Sequence, residues 1–372
     1  MASMDMSVSS VVCNKDKSFL LMQEARTEVA LDIDANQLPV IEQHTFYGLA
    51  SYYNGIRILN VAGKEVSSFN RDESVRLDDD GLIAAAGRFS VLLFKAPGAT
   101  ATVENNQIRL SWPQGIPAEL TIILSEKSGL HALNPSLSSI QYSHLWDWLA
   151  SLSRAVEWSL VKIQSSLAIN WGWSIVFFAI LLKVLLLPVS LMTVHFQRQV
   201  SKNQAILAPQ LAEIKSQFDG EQAHERIMAA HKALGVTPFY TLKPMLGSFI
   251  QIPILVATFN ALGEMPQLAG NPFLWIGDLA YPDVVATFPI TIPMFGDKFS
   301  LLPFVMTIVT LFSTVIFQNR LAPEIELKRQ KRNLYLMSAA FFILFYPFPA
   351  AMVLYWTLAN ILQTIQQQLI RI

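Results

Sequence analysis

Lys183 is the residue whose chemistry most needs a reason, because it is the only charge between Trp171 and Met192. Twelve residues separate it from Trp171 and twelve from His195. On a helix it therefore lies about 18 Å from either end, too far for a lysine stem of ~6 Å to reach water. An ammonium held at such a depth in hydrocarbon costs at least ~2.5 kcal/mol. Two arrangements are open: bonds to carbonyls or hydroxyls of neighbouring helices, or a water-filled cavity that leaves the ammonium available to a bound partner. Gln251, Thr258, Asn260, Thr307, Thr310, Ser313, Thr314, Thr357 and Asn360 could line such a cavity. Ser and Thr at such positions serve helix packing equally well.

Other combinations fail on spacing. His224-Glu225 would need a histidine at position 228 for a zinc-peptidase helix, and Met228 stands there. Ser248 has no base nearer than His195, so a buried serine nucleophile has no activator. Asp78, Asp79 and Asp80 lack the spaced ligands of a calcium loop and read as a solvated turn. Cys13 is the single cysteine, which excludes a disulfide framework and a thiolate metal site. A Gly-rich phosphate loop is missing too, so the sequence points to no enzyme and no cofactor. With 27 basic and 28 acidic residues, a net charge of -1 gives no general attraction to DNA.

The elements that would hold Lys183 are long apolar runs. Of 372 residues 52% are hydrophobic and 15% charged, against about 25% charged in ordinary soluble domains. Charge is absent from Ile163 to Leu182, Pro244 to Gly263, Phe299 to Asn319 and Asn333 to Ile370. About 20 apolar residues cross a bilayer. The last run has 38 residues and would make a helix of roughly 57 Å, so it must fold back at Pro347 and Pro349. Five spans result, at about 171–192, 244–263, 299–319, 333–346 and 350–370. Between the first two, residues 196–234 read as a helical hairpin that turns at Asp219-Gly220. Ahead of the spans, 144–169 is an amphipathic helix whose Trp146, Trp148 and Trp158 suit a membrane surface.

Residues 1–143 differ in kind. Short β-rich runs at Glu28–Ile33, Ile56–Val61, Phe89–Phe94, Gln107–Trp112 and Leu120–Leu124 alternate with Gly, Pro and Asp turns, as in a small antiparallel β-sandwich. Basic residues crowd the hairpin segment (Arg198, Lys202, Lys215, Arg226, Lys232, Lys243) and the connector from Arg320 to Arg332. The positive-inside rule puts both segments and the C-terminus in the cytoplasm, and hence the β-domain outside. Met1 to Thr27 contains no apolar stretch long enough for a signal peptide. An upstream apolar helix in the natural reading frame is therefore expected.

The ordered set Asn170-Trp171-Gly172 with Ser174, Lys183 five residues before Pro188, Gln251-Ile252-Pro253-Ile254, Phe348-Pro349 followed by Val353-Leu354-Tyr355-Trp356, and Gln366-Gln367-Gln368 resembles the YidC/Oxa/Alb family of membrane protein insertases. The likeness runs from 142 to 370. It implies five core helices around a hydrophilic groove, closed on the outside and open to cytoplasm and lipid, with a cytoplasmic hairpin that receives clients. It also implies insertion without nucleotide hydrolysis, in a bacterial inner membrane, with newly made membrane proteins as clients and the lipid bilayer as surroundings. The Sec translocon and the ribosome are further partners it brings into view. Two features depart from the pattern: the groove cation, usually Arg, is Lys183, and the β-domain is short beside that of enterobacterial relatives. A channel or transporter with Lys183 as an anion site is the rival reading, though the sequence lacks the repeated halves common there. A helix chaperone that does not insert is a third.

Overall fold

Alternation of apolar and polar residues decides the first third of the chain. The computed structural model describes residues 10–13, 18–23, 29–34, 37–41, 55–59, 65–68, 74–79, 81–104, 107–114, 116, 118–237, 239–240, 245–292, 295–316 and 324–371. Its contacts separate two compact units, residues 1–154 with 260–269, and residues 155–259 with 270–372.

The first unit is built on eleven strands: β1 (Ser10–Cys13), β2 (Ser18–Gln23), β3 (Val29–Asp34), β4 (Gly55–Leu59), β5 (Glu65–Ser68), β6 (Ser74–Arg76), β7 (Leu82–Ala86), β8 (Ser90–Lys95), β9 (Thr100–Glu104), β10 (Gln107–Trp112) and β11 (Ala118–Glu126). They form a seven-stranded sheet, ordered β1-β2-β11-β8-β7-β4-β5, and a four-stranded sheet, β3-β10-β9-β6. In β10, Ile108, Leu110 and Trp112 are buried while Gln107 and Arg109 face out, the period-2 signature of a half-buried strand. Those three pack with Ile56, Ile58, Leu77, Ile83 and Phe94 in the core. The central strands β7 and β8 are covered on their other face as well. Ala84, Ala86, Val91 and Leu93 meet Leu130 of the short helix α1 (Leu130–Leu133) together with Leu137 and Ile140. Gly87 admits the Val40 segment, whose side chain belongs to the core between the sheets, since a Cβ there would sit 1.6 Å from the Val40 carbonyl oxygen.

The five strand-like runs of the sequence each overlap an observed strand. β1 and β2, however, lie in the N-terminal segment where no element was expected, as the outer pair of the large sheet. The Asp78 to Asp80 segment includes a turn closed by Gly81 N–H to the Asp78 carbonyl at 2.8 Å; Asp80 itself falls outside the described residues.

The second unit is helical. Its elements are α2 (Asp147–Leu167), α3 (Trp171–Leu185), α4 (Leu187–Gln217), α5 (Gly220–Ala233), α6 (Met245–Glu264), α7 (Leu302–Ile316), α8 (Glu324–Phe345) and α9 (Ala350–Arg371), with the first residues of α2 and the last of α6 counted in the β unit. A sharp turn of 117° separates α2 from α3. The Asn170 side chain caps α3 by accepting the Trp173 N–H at 3.0 Å. Gly172 faces Phe273, whose ring a Cβ would meet at 2.0 Å.

Several helix boundaries depart from those expected. The helix expected from 171 to 192 breaks at Leu186, because Pro188 has no N–H for the Val184 carbonyl and its ring crowds that carbonyl. α4 then continues unbroken to Gln217, so the first hairpin helix starts nine residues before the expected Phe196. The third run becomes helical only at Leu302, since Phe299 and Ser300 belong to a strand. α8 begins at Glu324, which puts Lys328, Arg329, Lys331 and Arg332 on its first turns and makes it a 22-residue helix instead of a short one at 333–346. Pro347 and Pro349 stand between α8 and α9. Among the described residues no single helix is at once long and apolar enough to cross a membrane; α2 and α3 pass that test only as a bent pair.

The connection between α6 and α7 carries a β-hairpin of β12 (Val284–Ile292) and β13 (Gly296–Ser300). Asp283 fixes its base: the carboxylate accepts the Leu301 and Leu302 N–H groups at 3.0 and 2.6 Å and the Trp275 indole N–H at 3.1 Å. It thereby satisfies donors at the start of α7. Burial raises the Asp283 pKa, and these donors counter the rise.

Candidate functional site

Lys183, half-buried on α3, does not stand alone. Its ammonium donates to the side-chain carbonyl of Gln363 on α9. Gln363 in turn lines a cavity of about 190 Å³ with Leu186, Ser190, Thr193 and Gln197 at the start of α4 and with Gly247 and Gln251 of α6. Leu186, where α3 ends, is part of its lining. Ser190, Thr193 and Gln197 then follow at spacings of three and four, on one face of α4. Gly247 lets α6 come close, since a Cβ there would lie 1.8 Å from the Thr193 hydroxyl.

A second polar seam joins α7 to α9. The Asn360 side chain donates to the Thr310 hydroxyl at 3.2 Å, and the Ser313 and Thr364 hydroxyls meet. Thr310 and Thr364 also donate to carbonyls one turn back in their own helices. Thr307 and Thr357 make the same backbone bond, to Pro303 and Val353, as does the buried Thr258, to Ile254. These three hydroxyls are satisfied locally, which is the packing role that the sequence left open for them. Aromatic rings of Phe259, Phe341, Phe345, Tyr355 and Trp356 close around one another between α6, α8 and α9. Thr314 lies on α7, with its side chain outside what is described.

Asn260 belongs elsewhere, which corrects its assignment to the Lys183 cavity. It counts with the β unit, where its side-chain oxygen lies 2.7 Å from His144 Nε2. Beside it runs a buried ionic chain. Lys127 Nζ is 2.7 Å from Glu264 Oε2, with the two side chains 2% and 0% exposed. His144 Nδ1 is 3.3 Å from Glu264 Oε1. An Nε2 proton donated to Asn260 leaves Nδ1 of a neutral ring without a proton, and Glu264 Oε1 accepts no hydrogen bond among the described residues. Burial pushes the His144 pKa down; the Glu264 charge and the Asn260 bond oppose it, while Lys127 and Arg57 add to the lowering. Close by, Arg88 donates to the Gly263 carbonyl at 2.6 Å.

The hairpin segment has a small core of its own, with Val200, Leu207 and Tyr240 buried against Leu211, Leu234 and Val236. Asp219 and Gly220 connect α4 to α5, and Gly220 has φ +62°, a backbone state that glycine adopts without strain. Arg226 stacks on Phe218 at 3.9 Å from the ring centre. Among the described residues no group of three His, Cys, Asp or Glu side chains could hold a metal ion.

Sequence reasoning missed Gln363, Ser190, Thr193 and Gln197 around Lys183, and Lys127, His144 and Glu264 in the β unit. For Gln363 a signal existed: Asn360 follows Thr357 by three residues, and Gln363 and Thr364 follow Asn360 by three and four, along an apolar helix. For Lys127 and Glu264, 137 residues apart, no local pattern could reveal the pair.

The model of the family described as 60Kd inner membrane protein matches residues 162–372. Curated relatives named membrane protein insertase YidC include one from Leptospira interrogans, 34% identical over 57% of this chain and 32% of its own. One from Herminiimonas arsenicoxydans is 28% identical over 73% and 43%, respectively. One from Cupriavidus necator is 26% identical over 89% and 51%. The chain thus spans about a third to a half of the length of these relatives.

Proposed function

The chain belongs to the 60Kd inner membrane protein family, that of the YidC/Oxa insertases, and from this premise we propose that it inserts client membrane proteins into the bacterial inner membrane through a polar groove around Lys183. The observation that carries the reading is the ammonium of Lys183 held against Gln363 beside a cavity lined by Gln251, Ser190 and Thr193. Gln363 is a neutral acceptor, and an ammonium has three donors. A client carboxylate entering the cavity forms a charge-assisted bond, roughly twice as strong as a neutral one. The client's acidic tail is drawn in while its apolar segment moves sideways into lipid, and no step calls for nucleotide.

In this reading the chain crosses the membrane five times, with the β-domain of residues 1–143 on the outer side, the α2 segment at 144–169 along the surface, and the insertase core in 170–372. The α4–α5 hairpin, the cationic start of α8 and the C-terminus face the cytoplasm. The hairpin receives newly made membrane proteins, where the ribosome and the Sec translocon would deliver them.

Reconstitution tests the activity. Proteoliposomes containing the whole chain should insert a short client with an acidic tail in the absence of nucleotide, to a protease-protected state. Removing 201–234 should abolish insertion. Ion flux without insertion would instead favour the channel reading.

A further inference from the structure

β12 has exposed residues on both of its sides, although the Phe288 ring meets Phe299 of β13 at 5.8 Å. Successive residues of a strand point to opposite sides, so a hairpin that rests on a protein surface has one exposed row and one buried row. From Val284 to Ile290 every residue is exposed and none is charged. Val285 is 43% and Ile290 71% exposed. Both sides of the strand therefore present Val, Ala, Phe and Ile to the surroundings.

The other strand is braced. Phe295 meets the Tyr346 ring edge-on at 4.6 Å, and the Tyr346 hydroxyl donates to the Lys298 carbonyl at 2.9 Å and accepts the Ser300 N–H. With Asp283 at the start of α7, these contacts hold the hairpin at the end of the helical unit that contains the start of α7 and the end of α8. Two more apolar side chains belong to this end. The Phe273–Ile276 bridge encloses Leu274, 71% exposed with φ +54°, and the exposed Trp275. Positive φ is unusual for leucine, and here it accompanies an outward apolar side chain. Phe273 packs on Gly172 and Trp173 at the start of α3, and the Tyr281 and Leu279 carbonyls accept N–H groups from the start of α9. The apolar patch is thus tied to the ends of four helices.

We propose that β12, together with Leu274 and Trp275, docks on the phospholipid surface and seats its side chains at the boundary between headgroups and acyl chains. The proposal rests on the reading of the flanking helices as membrane spans, with which this surface is continuous. Depth follows from the backbone. Among the described residues β12 pairs only with β13, so its outer edge has amide groups that hydrocarbon would leave unsatisfied. Headgroups and their water satisfy them, while Phe288 and Ile290, two residues apart and so on one side, reach toward the acyl layer. Indole and phenol side chains favour the same layer. The strand becomes a float that fixes the height of α7 and α8 in the bilayer.

Single cysteines at Val285, Ile290 and Leu274, in a Cys13→Ser background, can be labelled with an environment-sensitive fluorophore in proteoliposomes of phosphatidylcholine and phosphatidylglycerol. A cysteine at Ile308, exposed on α7, serves as the internal reference. The three patch positions should shift to shorter emission wavelength. Lipids with a nitroxide near the headgroup should quench them more strongly than lipids with one deep in the chain, and Ile308 should show the reverse order. Water-like emission at Val285 and Ile290 with lipid quenching at Ile308 overturns the proposal and leaves the spans standing. Water-like emission at all four positions overturns both. A patch shift that appears only when client is added, or that scales with protein density, contradicts lipid docking by assigning the strand to a client or to a second copy.

Discussion

Replacing Lys127 with methionine should be among the most damaging single changes in the β unit. Nζ sits 2.7 Å from Glu264 Oε2, both side chains are almost fully buried, and the second carboxylate oxygen accepts no hydrogen bond among the described residues. Methionine keeps the volume but leaves Glu264 buried, with His144 Nδ1 3.3 Å from its Oε1. Removing one partner of a buried pair costs ~3–5 kcal/mol. At ~2–4 °C per kcal/mol for a domain near this size, the melting temperature falls by about 6–20 °C. Replacing both partners, as Lys127→Met with Glu264→Leu, should restore most of the loss, because well-packed apolar pairs are often as stable as the ions they replace.

The pH dependence gives this prediction a sharper edge. In the parent protein His144 has a pKa lowered on folding, so between the unfolded value of about 6.5 and the lower folded one the unfolded chain binds more protons. Stability therefore falls as pH drops below about 6.5. Lys127 is one of the groups that lower the His144 pKa. Without it, the imidazolium forms more readily and gives Glu264 a new donor. The deficit of Lys127→Met should then shrink on acidification, and adding His144→Gln should remove that shrinkage. Tryptophan fluorescence during thermal unfolding in detergent, at a series of pH values, measures all of this. A deficit under ~1 kcal/mol, or a double variant no more stable than Lys127→Met, would refute the reasoning.

Three further outcomes follow from the same geometry. Gly87→Ala must push a methyl group against the Val40 carbonyl, 1.6 Å from its Cβ position, and should cost several kcal/mol, about the scale of severe backbone clashes, seen as a fall in the same melt. Asn170→Ala removes the α3 cap and should cost ~1 kcal/mol, with Asn170→Asp close to the parent. Cysteines at 220 and 330 should resist an impermeant thiol reagent in intact cells, and labelling there would invert the proposed topology.

Strands were legible where one face of the sheet is buried, as in β10, because alternation is a local record of burial. β1 and β2 were not: β1 pairs with β2 alone, in a hairpin at the sheet edge, and β2 finds its other partner in β11, far along the chain. Pro188 stands in the first apolar run, but nothing around it shows that the break falls at Leu186 and that the start of α4 lines a cavity. Lys183 announced itself by its cost, whereas its partner Gln363 is 180 residues away. Asn260 misled for a physical reason: its helix is apolar and faces one unit for most of its length, while its last residues count with the other. The hairpin at 284–300 was hidden by Pro289 and Pro293, which read as loop residues although a free edge strand tolerates proline.

The central claim is that the charge of Lys183 draws acidic client segments into the groove, and paired insertion assays on the reconstituted protein test it most directly. Two clients differing only in whether the translocated tail contains an aspartate should be compared in the parent, Lys183→Arg and Lys183→Ala proteins. A hydrogen bond to a charged group contributes ~1.5–3 kcal/mol, so Lys183→Ala should slow insertion of the acidic client by about tenfold or more and leave the neutral client near the parent rate. Lys183→Arg should insert both. Equal rates for both clients in Lys183→Ala, accompanied by a lower melting temperature, would contradict the account and make the Lys183–Gln363 bond a packing contact.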